Sequence, residues 1–303
     1  AGEYTNAINF VGIAKPNPAP PSKTFDEAFA DAGKTKVDGY YVMQDMNKLI
    51  CAEVAVGQTT TLMDIRDHQT YNIVRFDDLK CWMTTNLNLA GGTVLSSADT
   101  DFDSSYELPI TDGWTVENGK LVMPASSTTG FDTDNYAYVY NSGKTPTSDS
   151  DCGTPGCYSY YSWDTATVGS GRSITADNTD APYSICPKGW HLPNTRTGTN
   201  DTADFRKLMT VLGGSADIQT YTADTTPTGA TIFSGLHSTP LNFLRAGGYY
   251  GSTFYGGGDN GYYWSATSSS GTNARTLYFT STYVYSANNG RRNGMSVRCI
   301  ADQ

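Results

Sequence analysis

Apolar residues in this chain come in short bursts separated by polar stretches, and the spacing within each burst sets the element it predicts. Residues 1–14 read as an extended strand. Ile8 and Phe10 fall on one face, Val11 and Ile13 on the other, and Tyr4 belongs to the same run, so both faces can be buried. The Pro-rich segment 15–22 then forms a stiff, extended linker. Thr24-Phe-Asp-Glu27 is a capping box that opens a short helix ending near Gly33. Asp38 is expected to cap a second helix over 39–54, because Val42, Met46, Leu49 and Ile50 recur at i, i+4, i+7 and i+8. Residues 71–76 and 80–86 predict the two strands of a hairpin turning at Asp77-Asp78.

From 90 to 150 the chain is rich in Gly, Ser, Thr and Asp, with apolar runs only at 106–110, 120–123 and 136–140. This reads as a long β-rich insertion. Tyr158 to Trp163 is strand-like or opens a short helix. A better helix is expected over 202–212, where Phe205, Leu208, Met209 and Leu212 share a face and Gly213-Gly214 ends it. Short strands follow at 261–267, 275–280, 282–286 and 294–300, with turns at 256–260, 268–271 and 288–290. The pattern predicts an α+β fold in which small helices pack on one irregular antiparallel sheet.

Four motifs carry a resemblance. Cys81-Trp-Met-Thr-Thr-Asn-Leu-Asn88, Cys186-Pro-Lys-Gly-Trp-His-Leu-Pro193, Gly261-Tyr-Tyr-Trp-Ser-Ala-Thr267 and Met295-Ser-Val-Arg-Cys299 together resemble the Fibrobacter succinogenes major paralogous domain family. Tyr41 to Met46 with Cys51 resembles the lead-in to such domains. The resemblance implies a C-type-lectin-like fold of bacterial surface proteins, similar in architecture to diversity-generating-retroelement variable proteins and to formylglycine-generating enzymes. It implies termini that lie together and long late loops that often carry a binding surface. It implies little about the ligand, since such folds host many functions. The resulting division is an N-terminal strand arm and linker at 1–22, a helical lead-in at 23–67, and a C-type-lectin-like domain at 68–303 with its insertion at about 90–150.

Composition narrows the function classes. Only 17% of residues are charged, 12% are aromatic, 21 are Tyr, and the formal net charge is −10. No basic stripe is available to follow nucleic-acid phosphates. No run of 18 apolar residues offers a membrane span, and no signal peptide is visible at Ala1, as expected of a mature exported form. The six cysteines, Cys51, Cys81, Cys152, Cys157, Cys186 and Cys299, allow fifteen pairings; their spacing favours pairing in sequence order and an oxidising compartment. The absence of a CxxC argues against a zinc or thioredoxin-like site.

Catalytic and metal chemistry find little support. Ser142-Gly-Lys-Thr145 has Tyr138 where a phosphate loop needs Gly. No Gly-x-Ser-x-Gly elbow accompanies His68, His191 or His237, and His191 reads as a packed core or turn residue, although a convergent triad stays open. Leu192-Pro193-Asn194 and Trp264-Ser265-Ala266 lack the carboxylates of a calcium–sugar site. Asp99, Asp101, Asp103 and Glu107 alternate as calcium ligands do, but without the Gly and Glu a helix–loop–helix site needs, so a solvated acidic loop is the stronger reading. A formylglycine-type oxidase needs two late cysteines, and Cys299 is already committed. The chain is therefore expected to be no enzyme and to need no cofactor or metal.

Two functions follow. In the first, a secreted surface protein assembles with itself into a filament or appendage by donating the strand that holds Tyr4, Ile8, Phe10, Val11 and Ile13; the competing readings make that strand the first of its own domain or a frayed terminus. In the second, an adhesin or receptor reads a glycan or a cell-surface protein through Tyr249, Tyr250, Phe254, Tyr255 and Asn260, aromatic and amide residues set among glycines; the competing reading turns half of these rings inward. Arg291-Arg292 is either a cationic docking point or a solvated turn. Asn200-Asp-Thr202 is a glycosylation sequon, and the Ser/Thr-rich runs, one of them at 222–228, read as solvated loops or glycan carriers.

Overall fold

A computed structural model describes residues 21–107, 113–127, 137–144, 146–153, 156–195, 203–214 and 227–301. The assembly strand (Tyr4, Ile8, Phe10, Val11, Ile13) and Asn200 lie outside these residues. The Thr24 capping box forms: Thr24 Oγ1 accepts from the Glu27 amide at 3.2 Å and Glu27 Oε2 accepts from the Thr24 amide at 2.7 Å, opening α1 (Phe25–Asp31). The predicted 39–54 helix does not form. Its place is taken by β1 (Tyr41–Val42), a 3₁₀ turn at Met43–Asp45, and α2 (Lys48–Glu53). Asp38 sits in a turn at φ 51°, and the cap is Asn47, whose side chain accepts from the amides of Leu49 and Ile50. The cause is tertiary: Trp190 Nε1 donates to the Met43 carbonyl at 2.8 Å, and the Met46 carbonyl packs where a Cβ on Gly189 would stand. Leu49, counted in the apolar stripe, is 70% exposed.

Three strands follow, β2 (Thr59–Met63), β3 (Thr70–Arg75) and β4 (Cys81–Met83). The β3–β4 hairpin pairs Val74 with Trp82 and Arg75 with Cys81; β2 has no counterpart among the expected elements. The insertion holds β5 (Val94–Leu95), β6 (Thr115–Glu117) and β7 (Lys120–Val122) in one small sheet. A second contains β8 (Ser126–Ser127), β9 (Val139–Asn141) and β10 (Ser159–Tyr161). Its apolar residues Leu95, Leu121, Met123 and Val139 join the main core, and buried Trp114 donates to Asp164 at 3.0 Å. Tyr158 to Trp163 satisfies both readings, since β10 is followed at once by α3 (Trp163–Ala166), capped by Ser162.

The later chain carries β11 (Trp190–His191), α4 (Asp204–Val211), α5 (Pro227–His237), β12 (Gly248–Tyr250), β13 (Thr253–Tyr255), β14 (Gly261–Ser268), β15 (Asn273–Phe279), β16 (Val284–Gly290) and β17 (Ile300–Ala301). Helix α5 begins inside the run read as a Ser/Thr-rich loop. The expected turn at 288–290 is strand instead: Asn288, Asn289 and Gly290 pair with Arg275, Ala274 and Asn273. The expected strand 294–300 is mostly a set of single bridges, because Gly294, Met295 and Ser296 each meet a different partner, Tyr249, Tyr161 and Tyr263. The largest sheet runs β1-β2-β3-β4-β17-β11, with β1 parallel to β2 and the other neighbours antiparallel. Several small sheets with few helices make a mixed α+β architecture. Among the described residues no helix is long and apolar enough to cross a membrane.

Alternation along the strands divides the side chains between two cores. Ile73, Met83 and Trp264 enter the larger, with Trp163 and Trp190; Val74, Trp82 and Tyr263 enter the smaller, with Phe205, Phe243 and the α5 residues Ile232 and Leu236. The cysteines pair in sequence order, Cys51–Cys81, Cys152–Cys157 and Cys186–Cys299. Arg298, 1% exposed, lies between the strands. Its guanidinium donates to the carbonyls of Met83 (3.2 Å), Leu241 (2.6 Å) and Asn242 (2.9 Å) and twice to Asn86 Oδ1, and it stacks 4.2 Å from the Phe243 ring centroid. None of these acceptors is a carboxylate, and burial pulls its pKa down. Arg291, the suggested docking cation, is also interior. It lies 4.3 Å from the Trp163 ring centroid and donates to the carbonyls of Gly171 and Ile174 and to Ser268 Oγ.

Three outcomes follow. Arg298→Lys keeps the charge but cannot reach all of these acceptors, so it should cost at least about 3 kcal/mol in chemical denaturation; a loss under about 1 kcal/mol would contradict the role. Paired Cys→Ala replacements should rank by closed loop, whose separations are 113, 30 and 5 residues. The chain-entropy relation gives about 4–5, 3–4 and 2 kcal/mol in that order, so equal losses for all three pairs would refute it. Tyr71, Tyr160, Tyr161 and Tyr263 are buried phenols whose pKa burial pushes above the ordinary value of 10.0. Above that pH the unfolded chain releases protons that the fold retains, so stability falls as pH rises. The last part of the phenolate absorbance, which comes from the buried rings, should therefore rise in the same alkaline step that removes the near-ultraviolet dichroism; complete tyrosine ionisation without unfolding would contradict this.

Candidate functional site

The late aromatic segment is a two-stranded hairpin, β12 against β13, rather than a loop. Pleating sends its rings to opposite sides. Tyr249 and Phe254, opposite each other in register, turn inward onto Tyr140 and Tyr160, with ring centroids 4.5 to 5.9 Å apart. Tyr249 is 4% exposed, which removes it from the candidate contact residues, and Phe254 is half-buried under the hairpin. Tyr250 and Tyr255 turn outward, at 37% and 59% exposed. Asn260 is half-buried, and its Oδ1 accepts from Tyr278 Oη at 3.2 Å, so it anchors a ring instead of presenting an amide.

The structure extends this pair with three residues that the sequence did not single out. Tyr262, Tyr278 and Tyr285 are direct cross-strand partners on β14, β15 and β16. Successive centroids along Tyr255, Tyr250, Tyr262, Tyr278 and Tyr285 are 6.3, 5.9, 4.8 and 4.9 Å apart. The ring planes turn by 89°, 77°, 42° and 59° along that path, so the face is corrugated and not a flat platform. Trp264, two residues along β14 from Tyr262 on the same side, is fully buried. Tyr262 is itself buried, at 7% exposed, and belongs to the larger core, so the row runs outward from it, to half-buried Tyr278 and Tyr285 on one side and to Tyr250 and Tyr255 on the other.

Packing fixes the phenols chemically. Burial pushes the pKa of Tyr250, Tyr262 and Tyr278 above the ordinary value, so all three are neutral hydroxyls at physiological pH. Tyr250 Oη donates to Asn289 Oδ1 at 3.0 Å, and Asn289 Nδ2 donates to Thr276 Oγ1 at 2.8 Å, which orients the ring from beneath. A neutral aromatic face with a hydroxyl rim can supply contact area, ring stacking and hydrogen bonds.

The other chemistry-bearing residues are already occupied with each other. A cleft of about 290 Å³ beside the 186–193 motif is lined by Asp101, Asp180, Ser184, His191 and Asn194, among others. Asp101 accepts from Ser184; Asp180 accepts from Thr267 and Asn194. His191 is half-buried, with Nε2 3.4 Å from Asp204 Oδ2, while Lys80 contacts the other Asp204 oxygen. Burial alone would raise the Asp204 pKa, but His191 and Lys80 outweigh it and hold the carboxyl below its ordinary value. Asp99 caps a turn at Ser96 and Asp103 accepts from Tyr183, so the acidic alternation at 99–103 diverges to separate partners. Among the described residues no three His, Cys, Asp or Glu side chains are placed to hold a metal.

Comparison with known proteins gives one finding. The profile of the Fibrobacter succinogenes major domain matches residues 79–301, most of the chain and all four motifs. No curated protein and no solved structure matches it. The chain belongs to the Fibrobacter succinogenes major domain family.

Proposed function

We propose that this chain is an extracellular, non-catalytic recognition module that docks a protein on another surface through its tyrosine face. The observation that carries the reading is the run of five neighbouring tyrosines that passes from buried Tyr262 onto the outer face of the β12–β13 hairpin, where Tyr250 and Tyr255 are the most exposed. Tyrosine supplies large contact area at low rotamer cost. The corrugated ring planes suit the relief of a protein surface better than a flat lattice of sugars. Three disulfides support an oxidising, non-cytoplasmic setting. A C-type-lectin-like architecture is part of the proposal. It is supported by β17 lying between β4 and β11, which brings distant parts of the chain into one sheet, and by the late strands carrying the exposed face. Display on a filament built by donating the strand at 4–13 is compatible with it and rests on the sequence alone.

Beads coated with the protein should attach to target cells. Tyr250→Ala with Tyr255→Ala should reduce attachment about tenfold or more, as interface aromatics do, and Tyr255→Ala alone, at the more exposed ring, should reduce it with little change in melting temperature. Protease treatment of the cells should abolish attachment and periodate treatment should not. Attachment unchanged by the double substitution, or to none of a broad cell panel, would sink the reading.

A further inference from the structure

A second concavity shares no residue with the tyrosine face. The outer side of the β2–β3–β4 sheet is covered where Val74 packs with Trp82 and Phe205, and open beside that contact. There Thr59, Thr61, Asn72 and Thr84 face Thr239 and Asn242 across a groove of about 460 Å³. None of the side chains lining it is charged, on a protein whose net charge is −10.

The groove is rich in hydrogen-bonding capacity that the fold leaves unused. Asn72 Oδ1 accepts from Thr61, but among the described residues Asn72 Nδ2 has no partner, nor does either end of the Asn242 amide. Both walls are fixed from behind by one group. Arg298 holds the carbonyl of Met83 and the side chain of Asn86 on either side of Thr84, and the carbonyls of Leu241 and Asn242 on the facing loop. The width of the groove is therefore set by a buried side chain, which makes it a pre-formed site.

The chemistry of the lining selects the ligand class. A charged ligand would lose hydration with no opposite charge to receive it. An apolar ligand would leave the amides and hydroxyls unpaired. An added peptide strand would pair along the edge of a sheet, whereas the floor of this groove is a sheet face, formed by side chains of β2, β3 and the residue after β4. What remains is an uncharged molecule dense in hydroxyls with an apolar C–H face, for which half-buried Pro240 offers a surface. We infer that this groove binds a neutral oligosaccharide, with Asn72 and Asn242 as its principal hydrogen-bonding residues.

Amide-detected NMR titration of the isotope-labelled chain tests this. The probes are cellohexaose, maltohexaose, xylohexaose and mannohexaose, with hexagalacturonate as the charged control. At least one neutral hexasaccharide should shift the side-chain amides of Asn72 and Asn242 and the backbone amides of Thr59, Thr60 and Thr61. Asn242→Gly is the key variant: Asn242 sits at φ 50°, which glycine adopts freely, so the amide is removed with the backbone kept. It and Asn72→Ala should each weaken binding about tenfold, while Tyr255→Ala leaves it unchanged, so that this inference and the tyrosine-face reading fail independently. No shift at these amides with any neutral probe, binding unaffected by Asn242→Gly, or equal binding of hexagalacturonate would overturn it.

Discussion

A positive charge sealed inside a protein needs acceptors on every side, and Arg298 finds them in two distant stretches of chain: Met83 and Asn86 at and just past the end of β4, and the loop at 241–242. Desolvation of the guanidinium is tolerable only if all of these converge at once. That requirement orders segments that have little regular structure of their own. The neighbouring Cys299 is bonded to Cys186, and Ile300 pairs with Trp82, so three consecutive residues tie the fold by three different kinds of interaction. Short strands and small helices become stable here because they surround this knot, not because any of them is a strong element.

The same economy shapes the surfaces. The tyrosine face exists because the β12–β13 hairpin carries Tyr250 and Tyr255 beyond buried Tyr262, and the groove over β2 and β3 exists because the smaller core covers only part of their outer side. Rigid framework and exposed contact surface are continuous in both places, which is how aromatic and amide groups can be held in position with few helices behind them.

Local signals in the chain were legible and long-range ones were not. The Thr24–Glu27 capping box is closed within four residues, and α1 formed as read. Asp38 looked like an equally good cap, but the Met43–Met46 turn is fixed by Trp190 and Gly189, far along the chain. Helix α5 carries Gly229 and Gly235 and β-branched residues, a poor local sequence for a helix, and it is supported by Ile232 and Leu236 entering the smaller core. Tyr249/Tyr250 and Phe254/Tyr255 did carry a period of two, and the glycines around them obscured it. Tyr262, Tyr278 and Tyr285 become one row only once the strand register is known. The threonines of β2 were the overlooked signal, since β-branched residues are what a strand favours.

Strand β17 lies inside the largest sheet, between β4 and β11, although it follows both by a long stretch of chain. A ribosome delivers the chain in order, so the gap between β4 and β11 stays open until Ile300 has emerged, and Cys186 waits as long for Cys299. The preceding chain cannot fill that seam by itself, and contacts of such wide sequence separation close late. Where a chain of this topology crosses a membrane before it folds, the order is an advantage: the seam closes, and its two cysteines are oxidised, in the compartment where the chain arrives.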